Sequence, residues 1–161
     1  PWTLNLADCG SGARLQLSPE DEKRAQLALS NCLNAGTVLL EPRPLLLKAG
    51  IRKLPCSLAG LRKLSQDCHL YTGSLPEDHP LEPFFKQYEI LETFPTGNAS
   101  IKELGRKYPV AEVSARGLHL SSEELRRKIG CKSGIAPDGH HYHIFGCSTA
   151  LGGRLIVCCR K

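Results

Sequence analysis

Methionine is absent from the chain, tryptophan occurs once, and aromatic residues make up only 6% of it. Without a start methionine the 161 residues are not a complete translation product as written, so the expectation is a trimmed chain or a piece of a longer protein. Scarce aromatics argue against a stacking platform for single-stranded nucleic acid, which uses one flat side chain per base. No window holds the roughly 18 apolar residues that span a bilayer, and no signal-peptide pattern opens the chain. No membrane partner is expected, and the expected location is cytoplasmic. The Cys-x-x-Cys pair common to zinc fingers is missing. No internal repeat or low-complexity tract occurs. Nothing local links a nucleophile to a base, so no catalytic residue is expected in this chain.

What is present is a moderate positive charge. Net charge is +5, from 21 Lys and Arg against 16 Asp and Glu. A surplus of this size permits contact with a polyanion but serves solubility equally well. Length and the 41% apolar fraction allow one domain, or one domain with a smaller lobe, around a real hydrophobic core. Cysteines stand at 9, 32, 56, 68, 131, 147, 158 and 159. They are too sparse for a disulfide scaffold and lie partly in apolar runs such as Leu155–Cys159. Buried, reduced thiols are the expectation.

Along the chain, short strands are expected at residues 3–6 and 13–17, around the turn Asp8-Cys9-Gly10-Ser11-Gly12. Ser18, Pro19, Glu20 and Asp21 then mark a helix start, with a capping hydroxyl, an early proline and acids at the positive end of the dipole. Helical spacing of Ala25, Leu29, Cys32 and Leu33 carries this helix to residues 34–36. A buried strand over 37–40 ends at Glu41-Pro42. Pro44 begins a second helix that reaches Leu54 and carries Lys48, Arg52 and Lys53, and a small helix is expected from Leu58. Strand character returns at 68–72, before a loop over 73–83 rich in Pro and Gly that reads as a lobe boundary.

The last third is the most regular. It reads as a strand over 88–94, a helix from the cap Ser100 to Tyr108, and a strand over 110–116. A helix follows, opened by the capping box Ser121/Glu124 and stopped by Gly130. Strands at 142–148 and 154–160 close a hairpin around Leu151-Gly152-Gly153. The expected fold class is α+β: a small mixed sheet with helices, with a C-terminal βαβαββ unit over 86–161. A smaller α/β lobe over 37–85 precedes it, and residues 1–36 form an N-terminal linking segment of strands and a helix.

Three patterns could carry chemistry. Leu4 to Gly12 reads as a strand entering a glycine loop, with Glu41 placed as a ribose-binding acid. Residues 14–17 alternate like a strand where such a loop needs a helix, so a plain hairpin turn is expected. Cys131, His141, His143 and Cys147 place zinc's preferred ligand types in one window. Their spacing matches no finger; no metal is expected, and a solvent-facing strand with a His-rich turn explains them. The basic residues Lys48, Arg52, Lys53, Arg116, Arg126, Arg127 and Arg160 are candidate phosphate contacts, because each neutralised phosphate releases counterions. An ordinary solvated surface competes, since Glu123 and Glu124 sit beside Arg126 to Lys128.

Residues 39–50, Leu-Leu-Glu-Pro-Arg-Pro-Leu-Leu-Leu-Lys-Ala-Gly, resemble a stretch of bacterial class I S-adenosylmethionine-dependent methyltransferases. There, Tyr-Glu-Pro-Asn-Ala-Ala-Ile-Leu-Lys-Ala-Gly introduces a C-terminal THUMP-like domain. Residues 69–73, 88–92, 116–117, 125–128 and 155–161 resemble later segments of that family in the same order, so the likeness covers roughly 37–161. The family motif falls on Glu41, Pro42, Lys48 and Gly50, while Leu40 and Arg43-Pro44 depart from it.

The resemblance implies that S-adenosylmethionine and catalysis belong to a methyltransferase domain absent from this chain, with no cofactor here. It also implies that the chain ends at the natural C-terminus. By analogy with the THUMP domains of tRNA-modifying enzymes, it implies RNA binding. The expected function is an accessory module that positions structured RNA, tRNA or rRNA, for the methyltransferase domain of the same parent protein. Scattered Lys and Arg suit RNA helices, which are read by shape, phosphate and 2′-hydroxyl. Two other readings stay open. One is a lobe that braces the methyltransferase domain, with an apolar patch over residues 41–49; the other is a zinc-binding module.

Overall fold

A computed structural model describes residues 3–161. Strands β1 (Leu4–Ala7) and β2 (Arg14–Leu17) form a separate hairpin. The remaining strands are β3 (Val38–Pro42), β4 (Arg62–Lys63), β5 (Tyr71–Thr72), β6 (Phe85–Pro95), β7 (Glu112–Arg116), β8 (Tyr142–Thr149) and β9 (Gly152–Arg160). They make one sheet in the order β4-β5-β3-β6-β9-β8-β7. Its pairings are antiparallel except that of β7 with β8. The helices are α1 (Pro19–Arg24), α2 (Pro44–Lys48), α3 (Leu54–Ala59), α4 (Asn98–Lys107) and α5 (Ser122–Ile129). The class is α+β, and the C-terminal order β6-α4-β7-α5-β8-β9 is the expected βαβαββ unit. Pairing of β3 with β6 joins the lobe over 37–85 and this unit into a single sheet.

Local chemistry accounts for the C-terminal elements. The Ser121 hydroxyl accepts from the Glu124 amide at 3.1 Å, and the Glu124 carboxylate accepts from the Ser121 amide at 2.9 Å. Two of the helix's unpaired donors are thereby satisfied, and Gly130 ends α5 at φ +80°. The cap of α4 is Gly97 rather than Ser100, which lies inside the first turn. Strand β6 begins three residues before the expected Tyr88.

The N-terminal third differs from its sequence reading. Helix α1 stops at Arg24, because Ala25 turns to extended geometry. Residues 28–30 instead pair with the β4 segment: the Lys63 amide donates to the Ala28 carbonyl, and the Ser30 amide to that of Lys63. The buried Ser30 and Thr72 hydroxyls bond at 2.7 Å. Tertiary pairing here overrides helical periodicity. The single helix expected over 45–54 is two helices, broken where Gly50 takes φ +77°. The Glu22 carboxylate accepts from the amides of Arg52, Lys53 and Leu54 at 2.8–3.0 Å. It thus caps α3 from 30 residues away, and α3 starts at Leu54, not Leu58.

The sheet has two buried faces. On one, Leu104 of α4 and Leu125 and Ile129 of α5 pack on Ile144, Leu155 and Val157. On the other, Tyr88, Ile90, Phe145, Ile156 and Cys158 are covered by Leu64, Cys68 and Leu70. A third cluster joins Leu40, Leu46, Leu61, Tyr71 and Phe85 to the hairpin's Leu6, Leu15 and Leu17. Each fully buried Leu, Ile or Phe contributes about 1.5–3 kcal/mol. Cys56, Cys68, Cys131, Cys147 and Cys158 are buried and reduced, but Cys9 and Cys32 are exposed, against expectation. No helix among the described residues is long and apolar enough to cross a membrane.

Candidate functional site

Three strands separate β3 from β7, yet Arg116 on β7 donates to the Glu41 carboxylate on β3 at 3.2 Å. The sheet must therefore curl, bringing its two flanks together over the face opposite α4 and α5. Strand twist supplies part of this. A register shift between Ile90 and Glu92 in β6 adds a local bend. Gly117 closes the corner. At φ +75°, a Cβ here would stand 2.6 Å from the Ser148 hydroxyl and 3.2 Å from the Asp67 carbonyl. Only glycine allows the end of β7 so close to the turn before Cys68.

The floor of this concave face is aromatic and ordered. The His143 ring stacks on Phe145 at 4.0 Å between centroids, and Tyr88 meets both rings edge-on at 5.3 and 5.2 Å. His143 Nε2 lies 2.8 Å from the Ser114 hydroxyl. The Arg160 guanidinium sits 5.6 Å over the Tyr88 ring, within cation–π range. Two recesses open from the floor. One, of about 350 Å³, lies among Glu41, Arg43, His69, Lys86, Arg116 and Gly117. The other, of about 320 Å³, lies among Tyr88, Glu112, His141, Tyr142, His143 and Arg160.

Burial, followed by the charges of Arg116, Lys86 and Arg160, pushes the His143 imidazole down to about 4. The ring is neutral at physiological pH, and all three cations act on it. Among the described residues, Lys86 and Arg160 have no ion-pair partner, and Arg116 pairs with Glu41 alone. On the face under α4 and α5, Lys107 pairs with Glu92 at 2.6 Å and Arg127 with Glu123 at 3.9 Å. Lys102, Arg106, Arg126 and Lys128 on these helices have no ion-pair partner among the described residues either. The concave side is therefore set apart by its shape: Lys86 and Arg116 line one recess and Arg160 the other.

The seven basic residues singled out from the sequence divide into groups. Arg116 and Arg160 lie on the concave face. Arg52 reaches its edge by donating to His69 Nε2 at 3.3 Å. That bond leaves the proton on His69 Nδ1, which is buried with no partner among the described residues. Lys48 lies at the end of α2, and the Lys53 ammonium donates to the Lys23 carbonyl. Arg126 and Arg127 are on α5, across the sheet. Of the motif residues, Glu41 and Pro42 line the larger recess. Lys48 and Gly50 instead line an apolar groove beside β1.

Lys86, Tyr88, Ser114 and, as a face residue, His143 escaped the sequence reading. Alternation of Lys86, Tyr88 and Ile90 signals the first two once β6 is started at Phe85.

The Cys/His window does not assemble. Cys131 is buried beneath α5 and donates to the Ala111 carbonyl. Cys147 is buried in the core of the concave side, His143 is held by Ser114, and His141 sits at a recess rim. Among the described residues, no three His, Cys, Asp or Glu side chains come together to hold a metal ion. Residues 8–13 form the expected hairpin turn: the Asp8 carboxylate accepts from the Ser11 amide at 3.0 Å, and the Asp8 amide donates to the Ala13 carbonyl. No helix N-terminus follows it, so the residues do not fit a nucleotide-phosphate loop.

Residues 85–161 match a protein-family model described as "THUMP domain-like". Over 98% of its length the chain is similar to a solved structure from Porphyromonas gingivalis W83, described as a "putative methyltransferase". The TM-score is 0.77 and the sequence identity 27%. The chain spans 36% of that protein's length. No curated protein matches the chain. The family match holds Lys86, Tyr88, Arg116, His143 and Arg160, whereas Glu41, Arg43 and His69 enter the site from outside it.

Proposed function

We propose that the chain is an accessory RNA-binding module of an S-adenosylmethionine-dependent RNA methyltransferase, holding structured RNA for a catalytic domain outside these residues. The observation that carries this reading is the grouping of Lys86, Arg116 and Arg160 on one curled face, where Arg116 alone is paired with an acid, inside the segment that matches the THUMP-like model. Similarity to a larger solved protein described as a methyltransferase supports the placement of catalysis elsewhere. In this reading the cofactor binds that other domain. The hairpin over 4–17 offers it no phosphate cradle, and this chain contributes no catalytic residue. Eight free thiols fit a reducing compartment, the cytoplasm.

Structured RNA, tRNA or rRNA, is the partner such a face suits. It reads backbone through point charges and forks, without a row of exposed aromatics. Arg116 and Arg160 are the central contacts, with Arg52 at the edge and Lys48 and Lys53 flanking. Arg126 and Arg127 would meet only RNA that passes around the β7 edge. A purely bracing lobe has less support: among the described residues the large exposed apolar side chains are Leu29, Leu58, Ile135 and Leu151, none within 41–49.

Titration of the chain with tRNA and rRNA fragments at two salt concentrations tests the reading. Binding that weakens steeply with salt is expected. Absence of binding at low salt contradicts it.

A further inference from the structure

We infer that Lys86, Arg116 and Arg160 form a discrete phosphate-binding site on the concave face, above the Tyr88–His143–Phe145 floor. The site itself rests on geometry. Assigning the phosphate to an RNA backbone rests on the function proposed above.

Arg116 and Arg160 are held by the fold, and all three cations keep donors free. Arg116 spends one N–H on its neighbour's carbonyl, that of Ala115 at 3.1 Å, and another on Glu41 at 3.2 Å. A guanidinium has five N–H groups, so others remain for a ligand. Arg160 is steadied by the Tyr88 ring rather than by an acid. This keeps the fork in place without neutralising it. Lys86 pairs across the ladder with Glu41 in backbone register, but its ammonium has no ion-pair partner among the described residues.

The floor matters as much as the charges. His143 is wedged between Phe145 and Tyr88 and tied to Ser114, so it cannot swing out. A neutral imidazole there adds no charge, yet the buried rings beneath lower the local dielectric and strengthen attraction for an anion. Among the described residues three acids line these recesses, Glu41, Asp67 and Glu112, and Glu41 is already taken up by Arg116. Both recesses, at about 350 and 320 Å³, exceed what one phosphate group needs. A phosphodiester with its adjoining ribose fits the space as well as the charge.

The test uses the full chain with three proteins: wild type, Lys86→Gln/Arg160→Gln, and a control, Lys102→Gln/Arg106→Gln. The control removes the same charge from α4 on the opposite face. Thermal midpoints confirm that each folds. Affinity for a structured RNA hairpin is measured across salt, and inorganic phosphate is titrated while the His143 ring is followed by NMR.

The site predicts that Lys86→Gln/Arg160→Gln weakens RNA binding at least about tenfold and lowers the salt slope by about 2, with the control near wild type. Equal RNA affinity in all three proteins overturns the site while leaving RNA binding intact. If wild type binds no RNA but phosphate shifts the His143 resonances, lost in Lys86→Gln/Arg160→Gln, the site stands with a small phosphorylated ligand and the RNA reading falls. If neither RNA nor phosphate has any effect, both fall.

Discussion

Arg116 and Glu41 meet at 3.2 Å although three strands of the same sheet lie between theirs. The pair marks the curl that turns a flat surface into a concave one. It also sets the charge of that surface, because Glu41 answers one of three cations. At 42% and 13% side-chain exposure the pair is partly solvated, and its share of stability is about 1 kcal/mol or less.

Glu41→Gln should therefore leave the fold intact and raise affinity for structured RNA at low salt, by about threefold, since one repelling charge is gone. Arg116→Gln should lower it. Opposite signs in a paired titration support an electrostatic role. Equal losses, accompanied by lower thermal midpoints, would mark a bracing role instead.

Gly105→Ala tests the packing of α4 on α5. Helix propensity alone favours alanine by about 1 kcal/mol. A Cβ at this position would stand 2.1 Å from the Ile129 carbonyl oxygen, a backbone atom that cannot swivel aside. Overpacking wins, and a loss of about 1–3 kcal/mol is expected in chemical denaturation.

Gly117→Ala acts at the Arg116 corner. The left-handed backbone there costs a non-glycine residue about 1–2 kcal/mol, and the new methyl would press on Ser148 and Asp67. We expect a lower thermal midpoint together with weaker RNA binding, because the end of β7 moves away from Glu41. A variant with the wild-type midpoint would show that the corner is loose.

The pH dependence follows from His143. Its folded value lies near 4, against 6.5 when free. Between those values the unfolded chain binds the proton and the folded chain does not. Stability thus rises with pH across that window, is complete above about 6.5, and is lost as pH falls towards 4. The effect is at most about 3 kcal/mol, and His69 moves in the same direction through burial. Denaturation at pH 4.5 and 7 should show a large difference in wild type and a smaller one in His143→Gln.

The C-terminal unit was legible because its signals are local. Ser121, Glu124 and Gly130 specify α5 within ten residues, and the β8–β9 hairpin needs only its own turn. The N-terminal third was misread where distant groups decide. Glu22 caps α3 across 30 residues, and the β4 segment takes residues 28–30 from a helix that their spacing favoured. The site was half legible for the same reason. Arg116 and Arg160 stand out as charges, but nothing in one dimension brings β3 over β7 or sets Lys86 beside them. Arg126 and Arg127, the densest basic run, proved to lie on the other face.

Photo-crosslinking of the full chain to a bound structured RNA, read by peptide mass spectrometry, tests the concave face most directly. Crosslinks are predicted over 141–143, beside Lys86 and Arg160. Crosslinks confined to 98–107 and 122–129, on the two helices across the sheet, would contradict the account.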